Sequence, residues 1–413
     1  MPKKKLFRLA VFLVPILLVF SQCLNLKKNK DKRGNAYAGS AACVSCHKGL
    51  YDSYLHTAHF KASRPASEST IDGSFAKGAN EFNFGDHMKV VMSKTDSGYY
   101  QTSYINGKKD QSQRFDISFG GVKGQSYAYW LGNELFQLPI SYVNNSDKWV
   151  NSPGYEPNRI AFERVIGTRC MDCHASYAKE VPPELPIYDD AIGFEKKSLI
   201  YSVDCERCHG PAAQHVKFQQ DNPGIKKAKY ITSYQSLTRY EKINMCAICH
   251  SGASTHMLKP TFSFKPGDTI SHYMVPVSNV KPDYNHIDVH GDQKDLLISS
   301  KCFISSSMDC STCHNTHVNE KNNLALYTNR CIACHTSSAA DHKANKLTEP
   351  LSAGVLKNNC LSCHMPTLPS KAIVAGDSAA MVRTHHIAIY PEQTKKILAY
   401  LKAKNPGKML TAK

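Results

Sequence analysis

Cys205-Glu206-Arg207-Cys208-His209-Gly210-Pro211, followed at a short distance by His215, is the stretch on which the reading of this 413-residue chain turns. Two cysteines three positions apart with a histidine directly after them form a C-x-x-C-H unit. The two thiols suit thioether bonds to the vinyl groups of a porphyrin, and the adjacent imidazole offers a nitrogen to its iron. Six further units flank this one: Cys43, Cys46, His47; Cys170, Cys173, His174; Cys246, Cys249, His250; Cys310, Cys313, His314; Cys331, Cys334, His335; and Cys360, Cys363, His364. The composition of 16 Cys and 19 His would yield only about 0.03 such units by chance, so the pattern implies seven covalently bound haem c groups, each with its proximal histidine. Zinc sites would pair C-x-x-C units without a histidine after every one, and they belong to a reducing compartment.

The amino terminus points out of the cytoplasm. Lys3 to Arg8 form a basic region, Leu9 to Phe20 an apolar run, and Ser21-Gln22-Cys23 follows. Twelve apolar residues fall short of the roughly 20 that a spanning helix needs. Residues 1–23 therefore read as a cleaved export signal or as a lipoprotein signal with Cys23 as the lipidated residue. Residues 24–38, rich in Lys, Asn and Gly, read as a solvated basic tether. The chain is expected to be exported, either free in the periplasm or attached to the inner or outer membrane through its lipid.

The formal charge of +17 resembles a nucleic-acid signal. Much of it sits within residues 1–35, however, where nine Lys and Arg face only Asp31. Haem propionates would bring the rest to roughly +2. Neither a DNA-binding motif nor an aromatic-basic stripe accompanies the charge, so nucleic acid is excluded as a partner. The expected partners are redox proteins, such as a membrane quinol-oxidising complex or a terminal reductase.

Haem density divides the chain. A first haem segment covers 39–78, a stretch without motifs 79–160, a six-haem region 161–390, and a C-terminal helix and tail 391–413, with Pro391 to Lys404 in helical spacing. The motif-free stretch alternates polar and apolar residues over 89–93, 99–105, 113–118, 125–131 and 134–142, with turn signals at Asn106-Gly107 and Gly132-Asn133. It predicts a small antiparallel β insert of four or five strands between haem 1 and haem 2. The rest predicts a mainly α and irregular cytochrome whose core is packed by haem, since 42% hydrophobic residues and a mean hydropathy of −0.39 leave little apolar area for so many large discs.

Each iron has a sixth position, closed for electron transfer or open for a substrate. Beyond the proximal seven the chain has twelve histidines: His56, His59, His87, His215, His256, His272, His286, His290, His317, His342, His385 and His386. The count permits seven distal ligands without choosing them.

The motifs also carry a resemblance. Cys205 to Pro211 with His215 resembles the C-x-x-C-H-G-P-x-x-x-H signature of multihaem cytochromes related to the tetrahaem cytochrome c of the hydroxylamine-oxidation pathway, and Tyr37 to His59 is similar to that group's first haem segment. A wider pattern resembles a seven-haem branch of exported proteins: Gly124-Gln125-Ser126-Tyr127, Phe136-Gln137-Leu138-Pro139, Ser152-Pro153-Gly154-Tyr155, Ser300-Lys301-Cys302-Phe303 and Thr384 to Ile387. The resemblance implies His59, His215 and His317 as distal ligands, then His290 and one of His385 or His386, with His87 a weaker candidate. His56, His256, His272, His286 and His342 are expected as surface or hydrogen-bonded histidines, and Cys302 as a buried thiol beside a haem.

Three functions remain in order: an electron-transfer cytochrome relaying single electrons, an oxidoreductase acting on a small nitrogen or sulfur compound at one open-site haem, and a docking subunit with the β insert as its interface.

Overall fold

The structure, a computed structural model, describes residues 31–144, 146–185, 192–251, 255–277, 287–336, 359–375 and 378–404. The export signal, Cys23, His286 and His342 lie outside the described residues.

The β insert is larger than its sequence pattern suggests. Ten strands form it: β1 Ser63–Pro65, β2 Glu81–Asn83, β3 Met88–Thr95, β4 Gly98–Ile105, β5 Lys108–Arg114, β6 Ile117–Gly120, β7 Gly124–Leu131, β8 Glu134–Gln137, β9 Ile140–Val143 and β10 Lys148–Asn151. They make two antiparallel sheets, β2-β3-β4-β5 and β1-β6-β7-β9-β10 with β8 beside β7, rather than one. Two expected runs break in the middle. Asp116 separates β5 from β6, with its carboxylate turned to the backbone N–H of Trp130, and Pro139, which has no N–H to give a ladder, separates β8 from β9. Asn106 and Gly107 both adopt positive φ, 50° and 77°, which suits the tight turn of the β4–β5 hairpin.

Strand alternation divides the insert's side chains between two cores. Tyr127 and Tyr129 of β7 join Val90, Met92, Ile140, Tyr142 and Trp149 between the sheets. Around Trp149, ring centroids of Tyr142, Tyr127 and Phe75 lie at 5.1, 5.8 and 6.0 Å. Ala128, between those tyrosines, faces the other way with Ile117, Phe119 and Leu135, and these pack on Ile166, Met171, Ala175, Phe194 and Leu199. Met171 belongs to the second C-x-x-C-H unit, so the second core seats the β insert on the haem-motif region. β1 starts within the first haem segment and pairs with β6, which moves the edge of the insert earlier than residue 79.

Short helices carry the motifs: α1 Ser40–Tyr54, α2 Thr168–His174, α3 Cys205–His209, α4 Ala213–Asp221, α5 Arg239–His250, α6 Gln293–Ile298, α7 Lys301–Ile304, α8 Leu324–Ile332, α9 Cys360–His364 and α10 Pro391–Lys404. Caps hold several of these short segments. Asp204 accepts from Arg207 N at the start of α3, and Thr238 and Glu241 form a capping box on α5. The apolar cluster beside α5 is small, its buried members being Ile248, Phe264, Tyr273 and Met274.

The expected tether is docked at its far end. Arg33, its side chain 4% exposed, pairs with Asp31, Asp204 and Glu206 at 2.9, 2.8 and 3.1 Å. Glu206 also accepts from the backbone N–H groups of Ala38, Gly39 and Ala212. Residues 31–39 are thus part of the body, because one guanidinium supplies the charge that three carboxylates need in order to be buried. Among the described residues no helix is long and apolar enough to cross a membrane.

Candidate haem sites

Residues i, i+3 and i+4 share one face of a helix, so a C-x-x-C-H unit in helical form aims two thiols and an imidazole in one direction. α2, α3, α5 and α9 contain whole units in this form, and α1 carries the first, with a non-helical φ, ψ at His47. The fifth begins in a 3₁₀ turn, Cys310–Thr312, and the sixth runs off the end of α8. Among the described residues no disulfide joins any of the fourteen motif cysteines or Cys302. Among the described residues no group of three or more His, Cys, Asp or Glu side chains is placed to hold a bare metal ion.

Three histidine pairs converge from distant parts of the chain. His59 faces His250 with ring centroids 6.4 Å apart and planes at 72°. His317 faces His209 at 6.0 Å and 19°, and His385 faces His314 at 6.1 Å and 27°. An imidazole nitrogen binds a metal at about 2.0 Å and its ring centroid lies about 1.1 Å beyond, so two rings on opposite sides of one iron stand about 6.2 Å apart. The three pairs match that spacing, and each contains one proximal histidine of a motif.

The electrostatics agree with deep placement. Burial, and then neighbouring histidines, push His250 and His385 down to about 4, yet the His250 residue is exposed. Ring orientation is fixed from behind: His174 and His364 direct Nδ1 to the carbonyls of Ala62 and Ala388 at 3.1 and 3.0 Å, which leaves Nε2 facing the site.

His290 lies near His174, and both the histidine and Lys123 add to burial in lowering its pKa. His215 sits on α4 with Nδ1 2.9 Å from Lys229 O, in the field of His209 together with His47. His386 turns Nδ1 toward Tyr390 Oη at 3.0 Å. Of the adjacent pair, His385 faces the motif histidine His314. His87 is exposed on the four-stranded sheet, where its carbonyl accepts from Asn106 N, and no described ring contact joins it to a motif histidine. His56, His256 and His272 are exposed. Cys302, on α7, has its thiol pushed up by burial with Cys334 nearby.

The motifs also touch one another. Thiol contacts join Cys43 to Cys205, Cys173 to Cys249 and Cys246 to Cys310, and Arg330 Nη1 donates to Cys313 O at 2.6 Å. Motif 4 therefore meets motifs 2 and 5, while motif 1 meets motif 3. Arg207, inside motif 3, donates to Asp172 O of motif 2 and to Thr261 Oγ1 at 3.2 and 2.6 Å. Asp172 is fully buried, accepts from Thr261 N, and is raised by burial to about 6. The docked arm and the Asp172–Arg207 link escape sequence reading, since a carboxylate or guanidinium inside a motif carries no mark of its distant partner.

The family model described as cytochrome c3 matches residues 303–375, the stretch holding the last three motifs. The crystal structure of the outer cell wall cytochrome OcwA is similar in fold, with a TM-score of 0.53 and 16% identity over 91% of this chain and 84% of that one. No curated protein sequence matches the chain. The motif geometry, the cytochrome c3 match and the shared fold together support a multihaem c-type cytochrome with covalently bound haem c.

Proposed function

We propose that this chain is an exported electron-transfer cytochrome that holds seven haem c groups, most of them closed by two axial histidines. The observation that carries this reading is the set of three histidine pairs at 6.0 to 6.4 Å, since closed sixth positions suit electron transfer rather than substrate binding. The fourteen motif cysteines would form the thioethers, and His47, His174, His209, His250, His314, His335 and His364 would bind from the proximal side. His59 would close the site of motif 4, His317 that of motif 3 and His385 that of motif 5. His290 is assigned to motif 2, His215 to motif 1, and His386 to the C-terminal motifs. Bound haem supplies one-electron iron chemistry.

The protein residues keep the rings oriented through Nδ1, and hold neighbouring attachment sites side by side through links such as that from Arg207 in motif 3 to Asp172 O in motif 2. Export rests on the basic and apolar leader up to Phe20, with Cys23 as the lipid attachment to a membrane surface and redox proteins as partners. OcwA is described as an outer cell wall protein, a location compatible with export of this chain.

Low-temperature EPR of the oxidised protein, with spin quantified per haem, tests the reading. Low-spin iron at the haems given two axial histidines is the expected result. A high-spin fraction that shifts on adding nitrite, hydroxylamine or sulfite would replace the relay with an enzyme acting at an open haem.

A further inference from the structure

His314 is supported differently from the other motif histidines whose Nδ1 contacts are described. His174 and His364 rest on backbone carbonyls, whereas His314 Nδ1 lies 3.3 Å from the hydroxyl of Tyr327. Behind that phenol stands a carboxylate. After burial, the charge of Glu320 raises the pKa of the Tyr327 hydroxyl.

Glu320 is itself fixed. Its side chain is 9% exposed, it receives Arg330 Nη1 and Nη2 at 2.8 and 2.6 Å, and it accepts from Asn315 N at 3.2 Å. Arg330 lies 5.3 Å above the Tyr327 ring and returns to Cys313 O. Helix α8 makes this possible: Asn323 caps it, and Tyr327 and Arg330, three residues apart, share the face turned to the loop after motif 5.

We infer that Tyr327 and Glu320 are positioning residues that act through His314, making it a more electron-donating ligand and favouring the ferric state at the haem of Cys310 and Cys313. This rests on the reading that His314 binds haem iron. An N–H donated to an acceptor that is polarised by a carboxylate gives the imidazole partial imidazolate character, and such outer partners tune a metal ligand's basicity and orientation. A neutral backbone carbonyl does so less.

The test is a spectroelectrochemical titration of the haem-loaded protein, comparing Tyr327→Phe and Glu320→Gln with the exposed control Tyr240→Phe. One component should move toward the ferrous state by about tenfold, equivalent to about 59 mV for one electron, in both variants, with the remaining components and the haem content unchanged. His385→Ala serves as the check on ligation and should give a new high-spin signal. No moving component in Tyr327→Phe, with that high-spin signal present, overturns the role of Tyr327 alone. A shift of every component together overturns it as well, by marking a structural effect. Absence of the high-spin signal in His385→Ala removes the ligation reading and this inference with it.

Discussion

Replacing His59 with alanine removes one ring of the His59–His250 pair and leaves its partner in place. The geometry gives this pair a signature of its own, because its planes stand at 72° while the other two pairs are at 19° and 27°. Nearly parallel axial imidazoles separate the iron dπ orbitals in energy and produce a rhombic low-spin spectrum. Nearly perpendicular ones bring those orbitals close together and produce a single large g value. The Thr316 backbone supports the His59 ring, whose centroid lies 6.4 Å from that of His250. An alanine side chain ends at Cβ and cannot span that distance. Cys246 and Cys249 remain, so the haem should be retained. In EPR of the oxidised variant, about one seventh of the iron should become high-spin, the large-g signal should fall by one haem, and the rhombic signals should persist. Loss of a rhombic component with the large-g signal intact, or the absence of any high-spin iron, would refute the pairing of His59 with His250.

The docked arm should depend on Arg33. Arg33→Met leaves Asp31, Asp204 and Glu206 without their shared cation and should cost about 3–5 kcal/mol, read from the thermal midpoint and from new protease cleavage within residues 31–39. Burial raises the Asp31 pKa, but hydrogen bonds from Arg33 outweigh it, and the net value lies below the usual 3.8. A depressed carboxylate pKa contributes stability above the unfolded value and loses it as pH falls through the folded one, so the arm should resist proteolysis at neutral pH and release only below about pH 3.8. Gly73 packs flat on the Trp149 indole, with no room for a Cβ. Gly73→Ala should destabilise the β insert by about 1–3 kcal/mol and alter tryptophan fluorescence, while the haem Soret band stays as it is.

Legibility in the sequence follows the range of the interaction. A C-x-x-C-H unit is complete within five residues, so each attachment site can be read without knowing the fold. Hairpins such as β4–β5 declare themselves through Asn106-Gly107. The division of the insert into two sheets does not, because it depends on Asp116 interrupting a run whose alternation continues past it. His59, His317 and His385 are marked as candidates by resemblance, but the motif each one faces is a property of packing. His87, the weaker candidate, lies in the bend just before β3. The Glu320–Tyr327–His314 arrangement is local, yet Tyr and Glu are common residues and nothing in their spacing distinguishes a ligand support from an ordinary helix face.

In the proposed assignment, the distal histidines are not supplied by the motifs they face. His59 comes from the first haem segment to motif 4, His317 from the loop after motif 5 to motif 3, and His385 from the strand end after motif 7 to motif 5. Thr316 holds His59 while its neighbour His317 faces His209, so one short loop serves two sites. Each such pair closes a long loop of chain, and closing long loops costs entropy that the small apolar cluster around α5 is poorly placed to offset. The β insert, with its own aromatic core, can meet that cost without cofactor; the motif region cannot do so to the same degree. On the proposed ligation, its long-range order therefore depends on the axial pairs, and the positions that would set haem ligation would also hold the six-motif region together.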